Sequence, residues 1–365
     1  MRFAAQCRQL RTLLGSAALV GTAVPATAHA QGPPPPASLQ SFLQNTIHLN
    51  PDELRAVPNG KPLVKVMDTG DSREIAVFGV VWIDVPRAYY VKRAGDFPVS
   101  LKSPSRVRFG IFSDPAREAD VAAFSLPHDD AQELTKCRPG SCKVKLSSVA
   151  MTGVRASMDS TGSAPDSAAN AFFRRGMLGY VTDYRSKGNS ALLVYEDERA
   201  TVAKQVFDSM LARSPYAYQY APSLERYLVN YPGDRPADLS EVVFWAQDDL
   251  PSLRPTVTIT HALVYAPPEL AGCTLIVSKQ LYASHYLDGG MTIDAVVDAA
   301  DSSSLSQTVY LVLLRRLHFD DLPSGGVMHV RERVTSKLRD QTGSVLLDAK
   351  TRAEQAFASA SASAR

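Results

Sequence analysis

TVTITHALVYA (residues 256–266) alternates apolar and polar side chains, and TLIVSKQLYASHY (274–286) resumes the alternation after a Pro- and Gly-containing connection. A period of two over that length marks a half-buried β-strand. Runs 241–247, 291–298 and 308–319 have the same character, and short Pro, Gly, Asp or Ser connections separate all five. That spacing predicts an antiparallel meander, with hairpin turns at Gly289-Gly290 and at Asp301 to Ser304. Beyond it, Val327, Val330, Val334, Leu338, Val345 and Leu346 predict a long amphipathic helix over about 327–357. Gly343 is expected to interrupt or bend that helix. A sheet with one apolar face and a helix with an apolar stripe must each bury it, so the two are natural partners.

Upstream, residues 74–84 read as a long strand, 86–94 as a helix and 106–112 as a second strand. In the latter, Val107, Phe109 and Ile111 alternate with Arg106, Arg108 and Gly110. A helical region over 38–57 carries an Asn50-Pro51 start signal and stops at Pro58-Asn59-Gly60. Further helices are expected over 129–136, 168–185, 202–213 and 224–229, with a strand edge at 143–146 and a strand over 191–195. Residues 152–169, rich in Ser, Ala, Gly and Asp, read as a flexible surface loop. No 20–50-residue period appears, which excludes a solenoid. The predicted fold is α+β: an antiparallel β-sheet packed on a long C-terminal helix, with additional helices in the middle, as one domain over 38–360.

This order of elements resembles the helix-grip fold of START-like and polyketide-cyclase-like proteins over roughly residues 70–357; the chain also looks like secreted bacterial proteins. The helix-grip resemblance implies a curved antiparallel sheet around the C-terminal helix, with a cavity between them. It lies in element order and brings no motif, so it assigns no residue a role.

Residues 1–30 have the layout of a secretory signal. Arg2, Arg8 and Arg11 form a basic n-region, Leu13 to Val24 an apolar run, and Ala28-His29-Ala30 a cleavage site. The apolar run is too short for the ~20 residues of a membrane span. A periplasmic or secreted protein without a transmembrane anchor is expected, beginning with a Pro-rich linker over 31–37. Cleavage would remove three arginines and no acid. The 39 basic residues become 36 against 37 acidic ones, and the net charge moves from +2 to −1. That balance excludes a nucleic-acid binder resting on bulk charge.

Of the four cysteines, Cys7 lies in the leader. Cys137 and Cys142 flank Pro139-Gly140, a dipeptide that sets both corners of a tight turn. In an oxidising compartment that arrangement predicts a Cys137–Cys142 disulfide. Cys273, ahead of an apolar strand, is expected as a buried free thiol.

Phosphate-loop, dinucleotide, zincin and nucleophile-elbow motifs are absent from the sequence, and no cofactor is implied. The adjacent acids Asp129-Asp130, Asp248-Asp249 and Asp320-Asp321 read as solvated turns. The alternation places His261, Lys279 and Arg316 on otherwise apolar strand faces, where unpaired charge is costly. They are therefore the candidate residues for a ligand headgroup, expected to point toward the long helix, with His285 on the face of Lys279. Tyr282 falls on the opposite face with Ser278 and Gln280, and these would line the cavity if the register shifted by one. The favoured reading is an exported carrier of an apolar or amphipathic small molecule held between sheet and C-terminal helix. A ligand-free structural protein of the cell envelope is the main alternative. An enzyme using His261 or His285 as acid or base is the third.

Peptide mapping of exported protein without reductant is expected to recover Cys137 linked to Cys142. Opening so short a loop should cost about 2 kcal/mol. Two freely alkylated thiols would contradict the pairing.

Overall fold

The computed structural model describes residues 32–363 apart from 103–104, 162–164, 250–252, 300–307 and 323–328. The expected leader, the turn at Asp301 to Ser304, and Val327 lie outside the described residues. Along the chain run α1 (Ala37–Asn45), α2 (Pro51–Ala56), β1 (Leu63–Met67), β2 (Glu74–Ile83), α3 (Arg87–Gly95), α4 (Phe97–Ser100) and β3 (Arg106–Phe112). Then come α5 (His128–Leu134), α6 (Ser148–Thr161), α7 (Pro165–Lys187), β4 (Val194–Tyr195), β5 (Thr201–Val202), α8 (Ala203–Ala212), α9 (Pro215–Tyr220) and α10 (Pro222–Asn230). The meander follows as β6 (Ser240–Asp248), β7 (Thr256–Tyr265), β8 (Cys273–Ala283), β9 (Leu287–Asp298) and β10 (Val309–Phe319), and α11 (Val330–Ser363) closes the chain.

Among the described residues, eight strands make one antiparallel sheet in the order β1-β2-β10-β9-β8-β7-β6-β3. The chain is thus α+β, with a large antiparallel sheet and a long C-terminal helix. Every residue of β2 is buried, as a near-continuous apolar run requires when both faces are covered. Phe78, Val80 and Trp82 join one continuous core with α1 and the helices α5–α10. Ile75, Val77, Val81 and Ile83 face the other way and meet side chains of α11. Gly79 lets that helix come close: a Cβ there would lie 2.6 Å from Leu346 Cδ1.

The sheet therefore has an α11 face, shared with α3 and α4, and an α7 face covered by the middle of the chain. The sequence predicted a cover on one face only. The reason is residues 113–239, whose helices, expected as scattered elements, pack together as a layer on the second face. The expected flexible loop at 152–169 is helical in its described residues, as the end of α6 and the start of α7. Met151 and Val154 bury one side of α6, and Pro165 stands at the first position of α7, where a missing N–H costs nothing.

Smaller differences have local causes. Gly289-Gly290 lies inside β9, and the chain instead reverses at Ser284–Tyr286, where Tyr286 takes φ 65°. Gly289 is required by close approach, since a Cβ would meet Val206 of α8 at 2.9 Å. Residues 143–146 are not a strand, although the Lys145 N–H reaches the Ser284 carbonyl. The 38–57 region is two helices. The second starts at Asn50, whose side chain accepts from Asp52 and Glu53 N–H while Glu53 accepts from the Asn50 N–H. Helix α11 runs through Gly343 without a break. Cys137 and Cys142 are bonded across the expected turn, with Gly140 at φ 76°, and Cys273 is a buried free thiol.

Leu346 is wholly buried against the sheet, whereas Val345 is 40% exposed despite its place in the predicted stripe. Leu346→Ala is expected to lower unfolding free energy by about 2–4 kcal/mol. Val345→Ala should change it by less than ~0.5 kcal/mol. Urea titration checks both, and equal effects would show that the helix is seated differently.

Candidate functional site

Strand register puts the predicted cations in one row. His261 pairs with Lys279, Lys279 with Met291, and Met291 with Arg316. They share a face, as their spacing requires, but it is the α7 face, opposite the long helix. Alternation fixes which side chains lie together; it does not say which helix covers them. Nor do the three converge on one point. Each closes on partners of its own.

His261 is 2% exposed. Burial lowers its pKa against the pull of Glu241, favouring the neutral ring. In that form Nε2–H donates to Glu241 at 2.7 Å and Nδ1 accepts from the Tyr184 hydroxyl at 3.0 Å. Burial pushes Glu241 up, but bonds from His261, Tyr227 and Arg235 outweigh it and bring the carboxyl to about 2.

Lys279 is 1% exposed. Its ammonium donates to the Asn189 side-chain oxygen and lies 3.8 Å from the Phe207 ring centroid and 5.3 Å from that of Tyr184. Among the described residues no carboxylate pairs with it, and burial brings its pKa down to about 7. Arg316 donates to Glu74, the Arg213 carbonyl and the Tyr216 hydroxyl. Glu74, with no exposed side chain, also takes Arg213.

His285 has both ring nitrogens engaged, by the Lys143 carbonyl at 2.8 Å and Asp130 at 2.9 Å. Asp130, expected in a solvated turn, is 1% exposed. Tyr282 is on the α7 face too. A bulge between Ile259 and Thr260 pairs Ile259 with Tyr282 and Thr260 with Gln280, which brings Tyr282 beside Tyr195. Sequence alternation carries no sign of such a bulge. Lys145 was missed altogether: 2% exposed, it meets Asp288 at 2.8 Å, with Asp197 and Asp320 within 3.7 Å. Most of these charges are tied up in ion pairs and hydrogen bonds inside a packed layer, although Asp197 Oδ1 and the Tyr195 and Tyr282 hydroxyls have no hydrogen-bond partner among the described residues.

The α11 face differs. Its buried apolar side chains form three separate clusters, one under α11 and α3, one under α4, and one at the start of α11. Between them the centre of the sheet is polar. Register aligns Ser278 with Thr292 and Thr292 with Arg315, while Gln280 and Asp294 flank that row. All five remain half-buried on central strands that helices cover. Their partial exposure leaves this polar row open to solvent on the α11 face.

Asp294 Oδ1 and Gln280 Nε2 are buried with no hydrogen-bond partner among the described residues. Burial raises Asp294 to about 7 against the pull of Arg315. Burial likewise raises the Tyr90 hydroxyl of α3, helped by Asp294. Arg315 is lowered by burial, with Asp294 opposing, and makes no ion pair among the described residues. The signal for this row was in the sequence. Arg315 and Arg316 must take opposite faces, and Ser278 and Gln280 fall opposite Lys279.

Comparison with family models, with curated proteins and with solved structures returns no match. Among the described residues no group of His, Cys, Asp or Glu could hold a metal ion, and no helix is long and apolar enough to cross a membrane.

Lys279→Met keeps the stem and removes the charge. Because the folded amine titrates near 7 and the unfolded one near ~10.4, the burial cost is complete below pH 7 and fades as pH rises toward 10. K279M is expected to be more stable than wild type by about 1–4 kcal/mol at pH 6 and to converge with it near pH 10. Urea unfolding at both pH values checks this; a loss of stability at pH 6 would mean that Asn189 and the two rings outweigh the burial.

Proposed function

We propose that the chain binds an amphipathic small molecule at the polar row on the α11 face. Its anionic or carbonyl end meets Arg315, and its apolar part lies along the flanking clusters. One observation carries this reading: a half-buried guanidinium on a central strand, without an ion pair among the described residues, on the face that also holds Asp294 Oδ1 and Gln280 Nε2, which have no hydrogen-bond partner among them. Uncompensated buried charge is costly unless something meets it. A guanidinium fork suits a carboxylate or phosphate oxygen pair. Ser278 and Thr292 add hydroxyls in the same row.

The helix-grip resemblance supports the reading. β2 pairs with β10, the meander continues to β6, β3 takes the far edge, and α3, α4 and α11 share one face. The expected leader supports a carrier that works outside the cytoplasm. The acid–base alternative has less to rest on, because both ring nitrogens of His261 and of His285 are engaged in the packed interior.

A fluorescent fatty acid titrated into the mature protein tests the proposal. Arg315→Met should weaken it at least tenfold (about 1.4 kcal/mol) and leave the melting temperature unchanged or higher. Asp294 gains charge as pH rises through about 7. Affinity for the anion should therefore fall between pH 6 and pH 8, with Tyr90 neutral and Arg315 charged throughout. Asp294→Asn should flatten that profile. Equal affinity in wild type and R315M, or no binding at all, would refute the assignment.

A further inference from the structure

On the α7 face, the sheet end distant from Glu74 is not filled. A cavity of about 110 Å³ lies between the strands and the helices α1, α9 and α10. Its floor is the row Leu275, Ala295 and Val312 across β8, β9 and β10, with Ile293 beside it on β9. Small residues make the space: Ala295 in the floor, Ala221 at the start of α10 and Ala271 in the loop before β8. Ala295 and Val297 stay half-buried on the covered side of a central strand, although helices lie above them. In a protein interior packed as densely as an organic crystal, that exposure marks missing side-chain volume.

The lining restricts what can enter. No charged side chain contributes to it. Its phenol oxygens are already engaged, that of Tyr216 by Arg316 Nε and that of Tyr220 by Thr46 at 3.4 Å. Ser38 adds one hydroxyl. An ion or a strongly polar molecule would lose its hydration here with little in return. Phe42 of α1 and Tyr220 of α9 meet edge-to-face at 5.4 Å and form an aromatic wall. Apolar cavities of ~150 Å³ take up benzene, which sets the scale.

We propose that this cavity is a second binding site, for a small neutral apolar molecule of about benzene or toluene size. It is separated from the Arg315 site by the whole sheet, so the two sites can be tested independently. Toluene serves as the probe, with saturation-transfer NMR and thermal melting of the mature protein as readouts. Wild type should show saturable binding and a higher melting temperature with toluene. Ala295→Leu adds aliphatic volume to the cavity and should weaken toluene at least tenfold without weakening the fatty acid. Ala271→Leu, in a loop, is a second filling variant if A295L does not fold. Arg315→Met should leave toluene binding unchanged. Absence of a toluene response in wild type would overturn the proposal. So would binding that survives both filling variants, or binding lost in R315M alone.

Discussion

The pairing of β2 with β10 is the contact from which the remaining architecture follows. Val309 stands against Ile83 and His318 against Glu74, with unbroken register between. It joins an early strand to the last one and extends the meander into a single sheet. It also assigns the faces. With Phe78 beside Leu314, the odd residues of β2 and β10 must look toward α11, and the even ones toward the middle helices. At one end the pair is closed by Glu74 and Arg316, two buried charges that satisfy each other. Breaking one side of such a pair is more costly than never having built it.

From that assignment comes a division of labour between the two faces. The α7 face holds many buried charges, yet nearly all are bonded within it, and its helices pack as one continuous core. The α11 face holds Arg315 without an ion pair and Asp294 Oδ1 without a hydrogen-bond partner among the described residues. Buried polar groups that are satisfied make a fold specific; groups that are not satisfied ask for something from outside. The count of charged residues on a strand face is therefore a poor guide to a site. The state of their partners is the better one.

The meander, the closing helix and the turn between Cys137 and Cys142 were legible because each rests on local periodicity or turn chemistry. The existence of a row containing His261, Lys279 and Arg316 was legible for the same reason. What covered the row was not. Residues 113–239 read as loop and scattered helix, because Ala- and Ser-rich stretches such as α6 show weak amphipathicity although their few large residues are buried. The partners of Lys279 and Arg316, Asn189 and Glu74, lie 90 and 242 residues away in sequence. No local pattern links them. Tyr282 moved to the other face through one bulged residue, which alternation cannot register.

The same β2–β10 contact governs how the chain can be made. IAVFGVVWI (75–83) is an uncharged run of high β-propensity, the composition of an aggregation-prone segment. Its edge is protected on one side by β1, a neighbour close in sequence, but on the other only by a strand more than two hundred residues later. At a ribosomal rate of ~5–20 residues per second, that strand arrives roughly 10–50 s after β2. For all of that interval the hairpin of β1 and β2 presents an open edge and two unburied faces. A long-range closure of this kind is slow to form and favours a holdase-bound nascent chain over spontaneous early folding. The hairpin of β1 and β2, which contributes least to either proposed site, is thus the part on which production of the protein most depends.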